Sequence, residues 1–165
     1  MRRPASGMGA RAIALLLALV VAAAFVGSAH ARPSSTRSDM DRNSRAYVKQ
    51  VRGCVAIASL SLSVAAKQNV YSAAETIKRA AETCDAIRSR LAGMSTDHFD
   101  KQANTAWAGV DRIKSGLNAT LAFLDIRYPS KLAEAKGKLR LGNSWARIGI
   151  RGINLRRHVY GLGSI

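Results

Sequence analysis

The chain has 165 residues, with 26 Lys and Arg against 10 Asp and Glu, two cysteines and an apolar fraction of 48%. That length fits one domain, and the apolar content excludes a disordered basic tail. Two cysteines are too few for a disulfide-dense small scaffold or a four-cysteine zinc module, and no phosphate-binding glycine loop, HExxH or CxxC occurs.

Residues 1–31 read as a cleaved signal peptide. Arg2, Arg3 and Arg11 form a basic start, Ala12 to Val26 an apolar run, and Ala29-His30-Ala31 a small-residue cleavage triplet. The expected mature chain begins at Arg32, keeps 23 basic and 10 acidic residues, and has no transmembrane span. Export also means an oxidising compartment. Residues 32–38 show no apolar period and read as a flexible leader, with a single helical domain over 39–165.

In the first helical stretch Tyr47, Val51, Cys54, Ala58, Leu62 and Ala65 recur every three or four residues, and Asn69 interrupts. Ser72 and Glu75 fit a capping box for a second helix. Its stripe is Tyr71, Ala74, Ile77, Ala81, Cys84, Ile87 or Arg88, and Leu91, ended by Gly93 through a positive φ. Ser95, Thr96 and Asp97 offer caps for a third helix, whose stripe is Phe99, Ala103, Ala106, Val110, Ile113, Leu117, Leu121 and Leu124. Tyr128-Pro129 stops it, because the residue before proline leaves helical φ/ψ. A fourth stretch from about Ser130 keeps the period through Leu132, Ala135, Leu139, Ala146, Ile150 and Ile153. Its glycines weaken it, and Gly142-Asn143 is the expected kink or break.

Short spacers favour antiparallel neighbours, so the fold class is all-α, an up-down-up-down four-helix bundle. A hairpin turning near Asn69 brings Cys54 level with Cys84, each about 15 residues from the turn and on its own apolar stripe. They are expected to form a disulfide that stabilises the fold by about 3–4 kcal/mol in the chain-entropy model.

Residues for catalysis are scarce. Asp97, His98 and Asp100 are weak metal candidates, since capping and the helix dipole already account for both aspartates. Asn118-Ala119-Thr120 matches a glycosylation acceptor but lies mid-helix. Trp107 and Trp145 are core or pocket-lining residues. No catalytic residue, cofactor or enzyme activity is assigned.

Charge is the informative feature. Residues 136–165 hold seven Lys and Arg and no acid, and residues 32–53 hold six against two. On a continuous helix Lys136, Arg140, Asn143, Arg147, Arg151, Asn154 and His158 form one polar ladder, about 33 Å long. Arg42, Arg45, Lys49 and Arg52 form a shorter one. In an up-down-up-down bundle the two lie at the same end, together with Arg157. The expectation is an anion-binding surface of Arg42, Arg45, Lys49, Arg52, Lys136, Arg140, Arg147, Arg151 and Arg157. Its partner is an anionic lipid, a wall polymer or an acidic protein. Nucleic acid is not favoured, because few aromatics remain to stack on bases.

The fourth stretch also has a broad apolar arc of Leu139, Leu141, Trp145, Ile148, Ile150, Ile153, Leu155 and Val159. It reads as a buried bundle face, with an interfacial membrane helix as the rival. The function expected is therefore an exported, non-enzymatic protein of the cell envelope or extracellular space. The alternatives are a carrier of a small molecule or metal in the bundle core, or a membrane-active, toxin-like protein.

Overall fold

Apolar residues every three or four positions produce helices in the computed structural model, which describes residues 34–67 and 70–165. The helices are α1 (Ser34–Lys67), α2 (Val70–Ala92), α3 (Asp100–Ile126) and α4 (Pro129–Val159). No strand occurs among the described residues. The signal-peptide reading of residues 1–31, residues 32 and 33 of the leader, and the turn at Asn69 lie outside them.

Each helix runs antiparallel to the next. Cys54 of α1 and Cys84 of α2 form a disulfide with Cα atoms 5.1 Å apart, within the range a bridge accepts. Between α2 and α3, Arg88 meets Asp111 at 3.1 Å and Lys114 meets Asp85 at 2.6 Å. Between α3 and α4, Ala106 faces Gly149, Gly109 faces Ala146 and Gly116 faces Leu139. The end of α4 returns beside the start of α1, where Arg157 meets Asp41 at 2.6 Å. The result is an up-down-up-down four-helix bundle.

The core is the set of stripes turned inward. Tyr47, Val51, Cys54, Ala58, Ile77, Ala81, Cys84, Ile87, Leu91, Phe99, Ala103, Ala106, Val110, Ile113, Leu117, Leu124, Ala135, Leu139, Ala146 and Ile153 are all buried. Tyr47 also crosses the bundle: its hydroxyl donates to the Ala103 carbonyl at 2.8 Å, its ring meets Phe99 edge-on, and burial pushes its phenol up to about 12. Tyr71 departs from its stripe. It is 88% exposed in the first turn of α2, where Ala73 is the buried residue.

The helix ends correct several expectations. Residues 34–38, expected in the leader, belong to α1, and Arg37 Nη2 donates to the Gly161 carbonyl at 2.9 Å. A polar segment without its own apolar period is held there by the returning tail. α2 begins at Val70, so Ser72 lies inside the first turn and not at the cap position, and Glu75 accepts from Arg79. Gly93 follows α2 without a positive φ; i→i+3 bonds from Gly93 to Arg90 and from Met94 to Leu91 close that end. No side chain caps α3. Phe99 holds the cap position, and the Thr96 hydroxyl donates to Asp100, in the first turn. Tyr128 is extended before Pro129, as its position requires, and Pro129 opens α4. Gly161, unlike Gly93, has a positive φ. Its φ of 69° lets Leu162 N–H reach the Arg157 carbonyl and Gly161 N–H the His158 carbonyl, a Schellman close to α4.

The expected break at Gly142-Asn143 does not occur, and α4 is continuous over 31 residues. Its glycines face α3 at very short range. A Cβ at Gly142 would stand 2.8 Å from the Gly109 carbonyl oxygen, and one at Gly149 2.5 Å from Ala106 N. The lost helix propensity is offset by backbone approach that no larger residue permits.

Candidate functional site

Because α4 is unbroken, its ladder is one physical line. Lys136, Arg140, Arg147, Arg151 and His158 are exposed, and Asn143 and Asn154 are half-buried. Where α4 passes α1, Arg52, Val55, Arg147, Ile150, Arg151 and Asn154 line a groove of about 330 Å3. A second groove of about 450 Å3 continues along α4 between Lys136, Leu139, Arg140, Asn143, Ser144 and Arg147. Arg147 borders both. Helix α1 thus places Arg52 opposite two arginines spaced one helical turn apart on α4.

The charges of this surface are largely free of acidic partners. Among the described residues no ion pair engages Lys49, Arg52, Lys136, Arg140, Arg147 or Arg151. No Asp or Glu follows Glu134 in the sequence. Arg52 Nη2 donates to the Ile165 main-chain oxygen at 2.8 Å. In the second groove the buried Asn143 Oδ1 has no hydrogen-bond partner.

Three of the nine residues expected on the surface stand differently. Arg157 is 0% exposed. Its Nε donates to the Gly163 carbonyl, Nη1 to the Ser44 hydroxyl and Nη2 to Asp41. That guanidinium beside Asp41 is the main cause holding the carboxyl below its usual range. Arg157 is a tie between α4 and α1, not a docking residue. It lies one turn beyond the buried Ile153, on the apolar stripe and off the ladder, and that spacing was the signal available in the sequence. Arg42 is exposed and pairs with Asp39 at 2.8 Å, while Arg45 pairs with Asp41 at 2.9 Å. The open cationic surface therefore reduces to Lys49, Arg52, Lys136, Arg140, Arg147 and Arg151.

Among the described residues no three His, Cys, Asp or Glu side chains gather as a metal ion would need. Asp97 accepts from Ser95 at 3.1 Å, and His98 Nδ1 lies 3.5 Å from the Tyr160 hydroxyl. Arg156 Nε donates to the His98 carbonyl, so this segment joins the start of α3 to the end of α4. Thr120 of the acceptor pattern is buried and donates to the Gly116 carbonyl. Trp107 and Trp145 are half-buried, with Arg88 over the first ring at 5.6 Å and Arg112 over the second at 4.3 Å. Trp107 also borders a cavity of about 310 Å3 with Tyr47, Leu91 and Met94, and its indole N–H is buried without a partner.

No protein-family model, curated protein or solved structure matches the chain. No helix among the described residues is long and apolar enough to cross a membrane. The class defined by fold and site is a disulfide-stapled four-helix bundle with a cationic surface on its first and last helices.

Proposed function

We propose that the protein is exported and non-enzymatic, and that it binds an anionic component of the cell envelope or its surroundings through the α1–α4 surface. One observation carries the reading: Arg52, Arg147 and Arg151 converge from two helices on one groove, and none is paired with an Asp or Glu among the described residues. Cations held together in this way repel one another, and an incoming anion relieves that repulsion. The Cys54–Cys84 bridge supports an extracytoplasmic setting.

The test is binding of the exported protein to anionic vesicles and to soluble polyphosphate. Binding should weaken steeply with salt, because screening shortens from about 10 Å at 0.1 M to about 3 Å at 1 M. Arg147→Glu with Arg151→Glu should weaken binding about tenfold or more at low salt, with an unchanged helical circular-dichroism signal. Arg127→Glu, in the α3–α4 turn, should have a smaller effect. Equal losses for both changes would mean that net charge alone acts, and would overturn the assignment to this surface.

A carrier reading ranks second. The unpartnered Trp107 N–H beside its cavity favours it, but about 310 Å3 is at the lower limit of ligand pockets, which begin near 300 Å3. A carrier's affinity for a small apolar ligand would be indifferent to salt.

A further inference from the structure

The apolar arc of α4 divides in two. Leu139 and Ile153 are buried, whereas Leu141, Ile148, Leu155 and Val159 are 40%, 54%, 69% and 58% exposed. The exposed four are spaced by seven, seven and four residues, so they form a single line on the outer side of α4. At 1.5 Å per residue the line is about 27 Å long. Of the two expectations for this arc, a buried bundle face and an interfacial helix, the first holds only for the half that includes Leu139 and Ile153.

Charge borders the line. Arg140, Arg147, Arg151 and His158 are exposed and run along one edge, each within a turn of an exposed apolar residue. Arg156 is exposed on the other edge, and no acidic residue follows Glu134. An apolar stripe edged by bases on an otherwise packed helix is the pattern of a helix lying in a membrane interface.

We infer that the outer face of α4 docks on an anionic lipid bilayer with the helix axis along the membrane surface. Leu141, Ile148, Leu155 and Val159 enter the boundary between headgroups and acyl chains, and Arg140, Arg147 and Arg151 meet lipid phosphates. This rests on the anion-binding reading above and names its partner. A soluble polyanion would engage the arginines but leave the apolar line in water. A second copy of the chain would bring two sets of arginines without acidic partners together, with no Asp or Glu after Glu134 in α4 to offset them. A phospholipid surface satisfies both features at once.

The test compares wild type and two double variants of the exported protein on vesicles of phosphatidylglycerol and phosphatidylcholine in equal parts, on pure phosphatidylcholine vesicles, and on soluble polyphosphate. Wild type should bind the mixed vesicles in preference to the neutral ones. Ile148→Ser with Leu155→Ser should reduce vesicle binding about tenfold or more and leave polyphosphate binding unchanged. Arg147→Glu with Arg151→Glu should weaken both. All four positions are exposed, so circular dichroism and the thermal midpoint should stay close to wild type. Vesicle binding that is insensitive to the serine changes, or wild-type binding to polyphosphate alone, would overturn the membrane inference and leave the anion-binding reading standing. No binding to any of the anionic probes would overturn both. Dimerisation in sedimentation that the serine changes abolish would assign the line to a second copy, and the inference would fall.

Discussion

At Arg157 a cation occupies a core position. The side chain is 0% exposed, yet Nε, Nη1 and Nη2 all have partners, and its counter-charge is Asp41, 34% exposed. Removing one partner of a fully buried pair costs about 3–5 kcal/mol. Because Asp41 is partly in water, Asp41→Asn should cost less, about 2 kcal/mol at neutral pH. The pH dependence follows from the lowered pKa of Asp41. The unfolded chain takes up the proton first as pH falls, so the stability Asp41 supplies is intact above the ordinary aspartate range. It is lost as pH falls through the lower folded value. Asp85 and Glu134 have lowered pKa values too, through Lys114 and Lys138 respectively. The difference between wild type and Asp41→Asn isolates the Asp41 contribution. Urea unfolding between neutral and strongly acid pH should show that difference large at neutrality and shrinking in acid; a difference independent of pH would mean that the ion pair does not hold α1 to α4. The sequence concealed this tie because charge and helical phase conflict at Arg157, and only the position of Asp41 across the bundle resolves the conflict.

Among the helices, legibility followed whether a signal acts within one helix or between two. Stripes such as Phe99, Ala103, Ala106, Val110 and Ile113 were readable because burial selects one face of a single helix. The Cys54–Cys84 level was readable because an antiparallel hairpin fixes its own register. Glycine was misread because propensity scores a residue against its own helix, whereas Gly109, Gly142 and Gly149 act across the α3–α4 contact. Substitution separates the two effects. Nothing lies within 4 Å of a Cβ built at Gly137, so Gly137→Ala should stabilise by about 0.5–1 kcal/mol through propensity alone. At Gly149 the same methyl would stand 2.5 Å from Ala106 N and Cβ, positions that can yield only by moving a helix. Gly149→Ala should therefore destabilise by about 1–3 kcal/mol despite its better propensity. Both are read from denaturant midpoints, and a stabilising Gly149→Ala would show that α3 and α4 are not in close backbone contact.

For the molecule as a whole, the excess of cations was plain in the composition, and the up-down-up-down order placed the basic ends of the chain together. Composition could not say which cations were already satisfied within the fold. Arg42, Arg45 and Arg157 have acidic partners, while Lys136, Arg140, Arg147 and Arg151 have none among the described residues. Like charges one turn apart, as at Lys136 with Arg140 and Arg147 with Arg151, cost a few tenths of a kcal/mol per pair. Arg52 across the groove adds to that repulsion. A surface shaped by stability alone would not hold these residues, so binding and stability should respond to them in opposite directions. Arg151→Glu sets a carboxylate beside Arg147 and Arg52 and should raise stability by about 0.5 kcal/mol at low ionic strength. It should also weaken binding to anionic vesicles. High salt should erase the stability gain, because screening removes the repulsion that the variant relieves. Thermal unfolding of wild type and variant at low and high salt measures this directly. If Arg151→Glu instead destabilises the bundle at both ionic strengths, Arg151 holds the fold together, and weaker binding by its variants would reflect lost structure, not a lost contact with the anion.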